Sequence, residues 1–289
     1  MVTPMLDGAV AYADLERLIE RQLETDVSGI VPCGTTGESP TLSESEHLQV
    51  IRTCIEGARG KSLVIAGTGA NSTTEALSLT QAADDAGADA FLLVAPYYNK
   101  PSQEGLFAHF SALAESTEKP IVLYSIPSRC GIEISTEVIC RLREKYPHVC
   151  ALKEAGGRSS KVSETLISID EDFVVLSGDD GLTLPFMACG VKGVVSVASN
   201  LVPELVTEMV NLALGGDYER ARKIHLSNYQ LFTDLFCEPN PVPVKTLMQM
   251  NGMIESSEVR LPLIAASSAN HDLFKSLGSK LSFPQRVVS

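Results

Sequence analysis

Residues 149–157 read VCALKEAGG. Val149, Cys150, Ala151 and Leu152 form a short apolar run, Lys153 follows at its end, and Gly156 and Gly157 close it. A brief apolar run bounded by glycines reads as a buried strand. The lysine is unusual there, because lysine is rarely buried unless it is paired or working. Taken alone, a strand-end lysine that snorkels to water is the reading the stretch favours. A working lysine has to be argued from the rest of the chain. Similar runs occupy 29–33, 63–67, 90–96, 121–126, 173–177 and 193–198, with a fragment at 1–4 as a possible eighth. They alternate with helical stretches of about a dozen residues or more, the pattern of βα units on a parallel sheet. In the first helix Leu15, Leu18, Ile19 and Leu23 fall on one face. Ser43 followed by Glu46 reads as a capping box.

Eight such units predict an α/β chain folded as a (β/α)₈ barrel over 1–215. An open doubly wound sheet is the alternative, but no glycine fingerprint follows the first strand. Over 216–289 the pattern becomes helical only, with helices expected at 217–236, 242–251 and 265–281 packed on the barrel. The stretch EPNPVPVK at 238–245 separates the first two.

At 289 residues and 44% hydrophobic the chain can bury a large core. Its net charge of −13 argues against nucleic acid and anionic membrane as partners, since both want basic surface. The most apolar windows, such as 90–96, are far shorter than a bilayer span. The N-terminus shows no signal peptide. Seven cysteines at irregular spacing, several in apolar runs and without a CxxC, fit reduced core thiols, and hence a cytoplasmic protein. The five histidines show no metal-ligand spacing, so no metal is expected.

In barrels the reacting groups sit at the C-terminal ends of strands. Those ends here read GTTGES (34–39), GTGAN (67–71), PYYNKP (96–101), YSIPSR (124–129), LKEAGG (152–157) and SGDD (177–180). Lys153 therefore shares a rim with threonines, tyrosines and an arginine. Of the eleven lysines it alone follows an apolar strand at that end, which makes it a candidate nucleophile. Taking an ammonium out of water disfavours its charged form, and a free amine adds to a ketone to give a Schiff base. Tyr124, one strand over, is within reach as a proton shuttle. Each part also has a plainer reading: the threonines as helix caps, Tyr97 and Tyr98 as packing, Arg129 as a loop charge, Asp179 and Asp180 as caps of a helix starting at Gly181.

These motifs, in this order and nearly end to end, resemble the dihydrodipicolinate synthase (4-hydroxy-tetrahydrodipicolinate synthase) family of pyruvate-dependent class I aldolases. The blocks AGTGAN, GVVSVASN, EPNPVPVK and RLPL belong to the same resemblance. It implies that Lys153 forms the Schiff base with pyruvate, with no metal or other cofactor, and that Tyr124 shuttles protons. It implies that Thr35 links Tyr124 to Tyr98 of a neighbouring subunit, and that Thr35 and Thr36 hold the pyruvate carboxylate. Arg129 then holds the carboxylate of the second substrate, L-aspartate 4-semialdehyde, while Gly178 and Val195 line the pocket near the lysine. The implied assembly is a homotetramer, a dimer of dimers, serving lysine and diaminopimelate synthesis. Asn71, Glu75, Tyr97 and His47 match positions of an allosteric L-lysine site, where Glu44 replaces a common histidine. Family members usually begin several residues earlier, with a complete first strand. The rival readings are a related lyase, such as N-acetylneuraminate lyase, and a catalytically dead barrel that binds an amino acid. Thr36, Tyr98 and Arg129 favour the synthase over the first; the retained Lys153, Tyr124 and Thr35 argue against the second.

Overall fold

The expected parallel sheet forms because its strands are apolar on both faces, and helices cover the outside. The computed structural model describes residues 1–58 and 60–280. Among these, a small antiparallel pair, β1 (Met5–Leu6) and β2 (Ala9–Val10), precedes six strands. They are β3 (Gly29–Ile30), β4 (Leu63–Gly67), β5 (Ala90–Val94), β6 (Ile121–Ser125), β7 (Val149–Glu154) and β8 (Val174–Ser177), all parallel and in sequential order. The helices between them are α1 (Tyr12–Leu23), α2 (Glu44–Ala58), α3 (Thr73–Ala86), α4 (Gln103–Ala114), α5 (Pro127–Cys130), α6 (Thr136–Lys145), α7 (Ser159–Ser168), α8 (Thr183–Met187) and α9 (Pro203–Leu214). All of β6 is buried, and so are Leu15, Leu18 and Ile19 on the inner face of α1. Phe91, Leu93, Leu106 and Phe110 sit in the same core, each burial worth roughly 1.5–3 kcal/mol.

Helix starts follow the sequence closely. Ser72, Ser102 and Ser135 accept N–H bonds at the heads of α3, α4 and α6. The Ser43–Glu46 box forms as expected: the Ser43 amide donates to Glu46 and the Glu46 amide to Ser43 Oγ. Gly87 ends α3 in the left-handed conformation at φ 97°, which a residue without Cβ adopts at little cost.

Two expected strands are not regular strands. Residues 193–198 touch β8 through a bridge between Ser177 and Val194. The ladder stops there because Asp180 takes the amides of Val197 and Ala198, each at 2.9 Å. Residues 1–4 spend their backbone groups on loops: the Met1 ammonium donates to Val31 O at 2.7 Å and the Val2 amide to Asn200 Oδ1 at 2.9 Å. Between these two segments lies a cavity of about 230 Å³ bordered by Ile30, Val31, Leu176, Val194 and Ser196. The run 29–33 also shortens to Gly29–Ile30, and Cys33 turns the chain at φ 54°.

Beyond Gly216 the chain is helical, with α10 (Tyr218–Asp234), α11 (Val242–Met250) and α12 (His271–Lys280). The last begins six residues later than expected. The Glu238 carboxylate accepts from the Ser267 amide and from Asn270 Nδ2, and Ser268–Asn270 form a short 3₁₀ helix there. Leu281, its expected end, lies outside the described residues. Among the described residues no helix is long and apolar enough to cross a membrane.

Candidate active site

The C-terminal ends of the strands bring the predicted rim together. In-register pairing sets Lys153 of β7 level with Tyr124 of β6, and Tyr124 level with Val94 of β5. Lys153 is 9% exposed and Tyr124 4%. The Lys153 Nζ stands 3.9 Å from the centroid of the Tyr124 ring, over its face. The lysine thus does not snorkel out to solvent; it rests on the tyrosine. Gly178, after β8, lies against the same side chain: a Cβ there would come 3.1 Å from Lys153 Cε and 2.7 Å from Ala155 Cβ. A side chain at 178 would press on the lysine. The Val195 amide donates to Ser177 O at 2.9 Å, next to Gly178.

Tyr124 faces a cavity of about 210 Å³ that is also lined by Thr35, Tyr97 and Arg129. Arg129 reaches it from α5, the short helix that turns the chain after β6, and remains solvent-exposed. Gly67 and Gly69 form part of the wall because backbones meet there: a Cβ on either would lie 2.3 Å from a neighbouring main-chain atom, Cys33 O or Val94 N. Thr35 and Thr36 belong to a tight turn in which the Gly37 and Glu38 amides return to Gly34 O and Thr35 O.

The left-handed non-glycine residues concentrate at this rim. Cys33 and Glu38 flank the threonines, while Tyr98 and Lys100 belong to the loop after β5. Such strain is retained where the surroundings over-determine the backbone, often at working sites. Tyr98 is 89% exposed and does not line the cavity of its own chain.

Of the residues of the expected lysine site, Asn71 and Glu75 both interact with Tyr97, while His47 is engaged elsewhere. Ser72, not Asn71, caps α3, which leaves the Asn71 side chain to donate to Tyr97 O at 3.2 Å. Burial pushes the Tyr97 hydroxyl pKa up, and the negative charge of Glu75 adds to the shift. Glu75 and Glu44 are exposed. His47 is buried and pairs its Nε2 with Gly67 O at 2.8 Å; burial pulls its pKa down.

Asp179 accepts the Leu182 amide at 3.1 Å, as a cap would, but α8 starts at Thr183. Asp180 is no helix cap. Besides Val197 and Ala198 it accepts from Ser196 Oγ at 2.5 Å, tying the loop after β8 to residues 196–198. Sequence reasoning also passed over Asn240, whose Nδ2 donates to Thr36 Oγ1 at 2.9 Å. Its place in EPNPVPVK was the available signal. Among the described residues no group of three or more His, Cys, Asp or Glu is placed to hold a metal ion.

The model of the dihydrodipicolinate synthetase family matches residues 1–280. The chain belongs to the dihydrodipicolinate synthetase family. Within that family it is 49% identical over 275 residues to the 4-hydroxy-tetrahydrodipicolinate synthase of Sulfurihydrogenibium sp. (strain YO3AOP1), covering 95% of this chain and 94% of that one. The solved 4-hydroxy-tetrahydrodipicolinate synthase of Methylacidiphilum fumariolicum SolV superposes with a TM-score of 0.95 at 49% identity, over 97% of this chain and 93% of that chain. A family enzyme from Cyanidioschyzon merolae, solved with lysine bound, superposes at 0.94 with 37% identity over 98% and 97% of the two chains. The fold is therefore the α/β barrel of this family, with helices added at its C-terminal end.

Proposed function

We propose that this chain condenses pyruvate with L-aspartate 4-semialdehyde to 4-hydroxy-tetrahydrodipicolinate, in lysine and diaminopimelate biosynthesis, through a Schiff base on Lys153. The observation that carries the reading is the pairing of Lys153 with Tyr124 at adjacent strand ends, with Nζ 3.9 Å from the ring centroid. In this reading the amine adds to the pyruvate carbonyl carbon, and the oxygen leaves as water with a proton relayed by Tyr124. Loss of a methyl proton gives an enamine, whose carbon attacks the semialdehyde's aldehyde carbon. The semialdehyde's own amine then closes the ring at the former carbonyl carbon and releases Lys153. One water is lost overall, and neither a redox partner nor a metal is consumed. Thr35 and Thr36 hold the pyruvate carboxylate. The rival lyase reading is separated by a direct assay: product forms from pyruvate and aspartate semialdehyde, whereas cleavage of N-acetylneuraminate in place of that condensation rejects the synthase.

Arg129 holds the semialdehyde carboxylate. Its placement on the cavity wall, apart from Lys153, supports that division of labour. Arg129→Ala removes a charge-assisted contact worth on the order of 2–3 kcal/mol. The expected result is a fall in kcat/KM for semialdehyde of about 30- to 150-fold, with reduction-trapping of pyruvate unchanged. Lost trapping with unaltered semialdehyde kinetics would reject the role.

Tyr98 completes a neighbouring subunit's relay through that subunit's Thr35, in a homotetramer built from dimers. An aromatic ring held 89% exposed on a left-handed backbone supports an occupied interface there. Mixing Tyr98→Phe protein with Lys153→Ala protein then restores part of the activity, because a hybrid dimer assembles one intact site. No recovery in verified hybrids places Tyr98 within its own subunit's function or outside catalysis.

L-Lysine inhibits by binding at Asn71, Glu75 and Tyr97, with His47 and Glu44 nearby on α2. Support comes from the Asn71–Tyr97 bond, the Glu75 charge felt by Tyr97, and the lysine-bound relative described above. A carboxylate suits an ammonium ligand, and a tyrosine ring adds a face for a cation. Lysine titrated at saturating pyruvate lowers the wild-type rate, and Glu75→Ala abolishes that response. Equal inhibition of both proteins removes the site from the account.

A further inference from the structure

Lys245 has no exposed surface, although it lies far along the chain from Lys153 and outside the barrel strands. In α11 its Nζ donates to Glu38 Oε1 at 2.7 Å, to Thr3 O at 3.0 Å and to Glu258 O. Three donors meet three acceptors, so the ammonium is fully used. Glu38 is 3% exposed, and its second oxygen accepts the Arg260 amide at 3.1 Å. Burial pulls the Lys245 pKa down while the Glu38 carboxylate pulls it up.

A buried ion pair is weak evidence for stability, because apolar side chains of similar volume often do as well. What such a pair fixes is geometry, and this one grips a particular loop. Glu38 ends the turn that carries Thr35 and Thr36, on a left-handed backbone at φ 55°. One residue earlier, Gly37 O accepts from Thr3 Oγ1 at 2.7 Å. The turn therefore presents Thr35 to the cavity on one side and is held on the other by residues 3, 245 and 260. Neither Glu38 nor Lys245 lines the cavity.

We infer that the Lys245–Glu38 pair is a positioning device: the C-terminal helical region holds the Thr35–Thr36 turn in the shape that receives the carboxylate of the 2-oxo acid. The inference rests on the reading of Lys153 and the threonines given above. It assigns to the pair control of pyruvate affinity, and not of the reactivity of the amine. The double variant Glu38→Gln/Lys245→Met removes the charges together, so neither is left buried without a partner. Borohydride trapping at Lys153, followed by mass, is measured against pyruvate concentration. The pyruvate concentration giving half-maximal trapping rises at least about tenfold. The trapping rate at saturating pyruvate and the KM for semialdehyde stay within about twofold of wild type. The single variant Glu38→Gln keeps a hydrogen-bonding oxygen for Lys245 but leaves its ammonium without a carboxylate, and it also raises that concentration. A folded double variant with unchanged pyruvate dependence overturns the inference. If the double variant does not fold, Glu38→Gln decides: a rise supports the inference and an unchanged curve overturns it. Wild-type protein is the control for the underlying reading, since absence of any pyruvate adduct on its Lys153 removes that reading itself.

Discussion

Lys153→Ala lowers kcat/KM for the condensation by on the order of 10⁴-fold or more, with the fold retained. Among the described residues no other lysine stands in its position. Lys245 is engaged by three acceptors behind the Thr35–Thr36 turn, and Lys161 is buried with its Nζ on Thr136 Oγ1 at 2.8 Å. Neither is placed to take over an attack on a substrate in the cavity lined by Tyr124. Truncation also leaves a small void beside Gly178, but no buried charge loses a partner, because Lys153 makes no salt bridge among the described residues. The circular dichroism spectrum and thermal midpoint should therefore stay near those of wild type while steady-state turnover collapses. Residual turnover above a few percent would mean that the reaction does not pass through this amine.

Tyr124→Phe comes second in size. The ring face supports Lys153 at 3.9 Å, and phenylalanine keeps that face. Only the hydroxyl disappears, and with it a positioned proton donor and acceptor. General acid–base groups of this kind contribute about 10²–10⁴-fold. The expected outcome is a drop of roughly that size in kcat, with the affinity for pyruvate in trapping experiments little changed. Slow formation of the adduct at an unchanged half-saturating concentration is the signature of a lost proton relay. An unchanged kcat would show that water or another hydroxyl moves the protons.

The two residues were legible for one reason: a polar group at the end of an apolar run falls on the C-terminal rim once the runs pair in parallel. That logic also placed Thr35 and Arg129 at one cavity. It failed where the backbone does not follow the run. Residues 193–198 are as apolar as a strand, yet Asp180 diverts two amides from the ladder. Residues 1–4 include a proline, which has no amide to donate, and Met1 and Val2 donate to Val31 O and to the Asn200 side chain instead. Lys245 was illegible for a different reason. Within VPVK it reads as an ordinary helix lysine, and the carboxylate that buries it lies 207 residues away in sequence. Asn240 and Asp180 are similar cases: their roles exist only in contacts made across the fold. His47, assigned by motif near a ligand site, also has a contact the sequence does not show: its Nε2 pairs with Gly67 O at 2.8 Å.

The central claim is that Lys153 becomes covalently bound to pyruvate. Wild-type protein is incubated with pyruvate and borohydride, digested, and mapped by mass spectrometry. The account predicts one reduced pyruvoyl adduct per chain, on Lys153, with loss of activity in proportion to labelling. An adduct on a different lysine, or active protein that never acquires one, would contradict it.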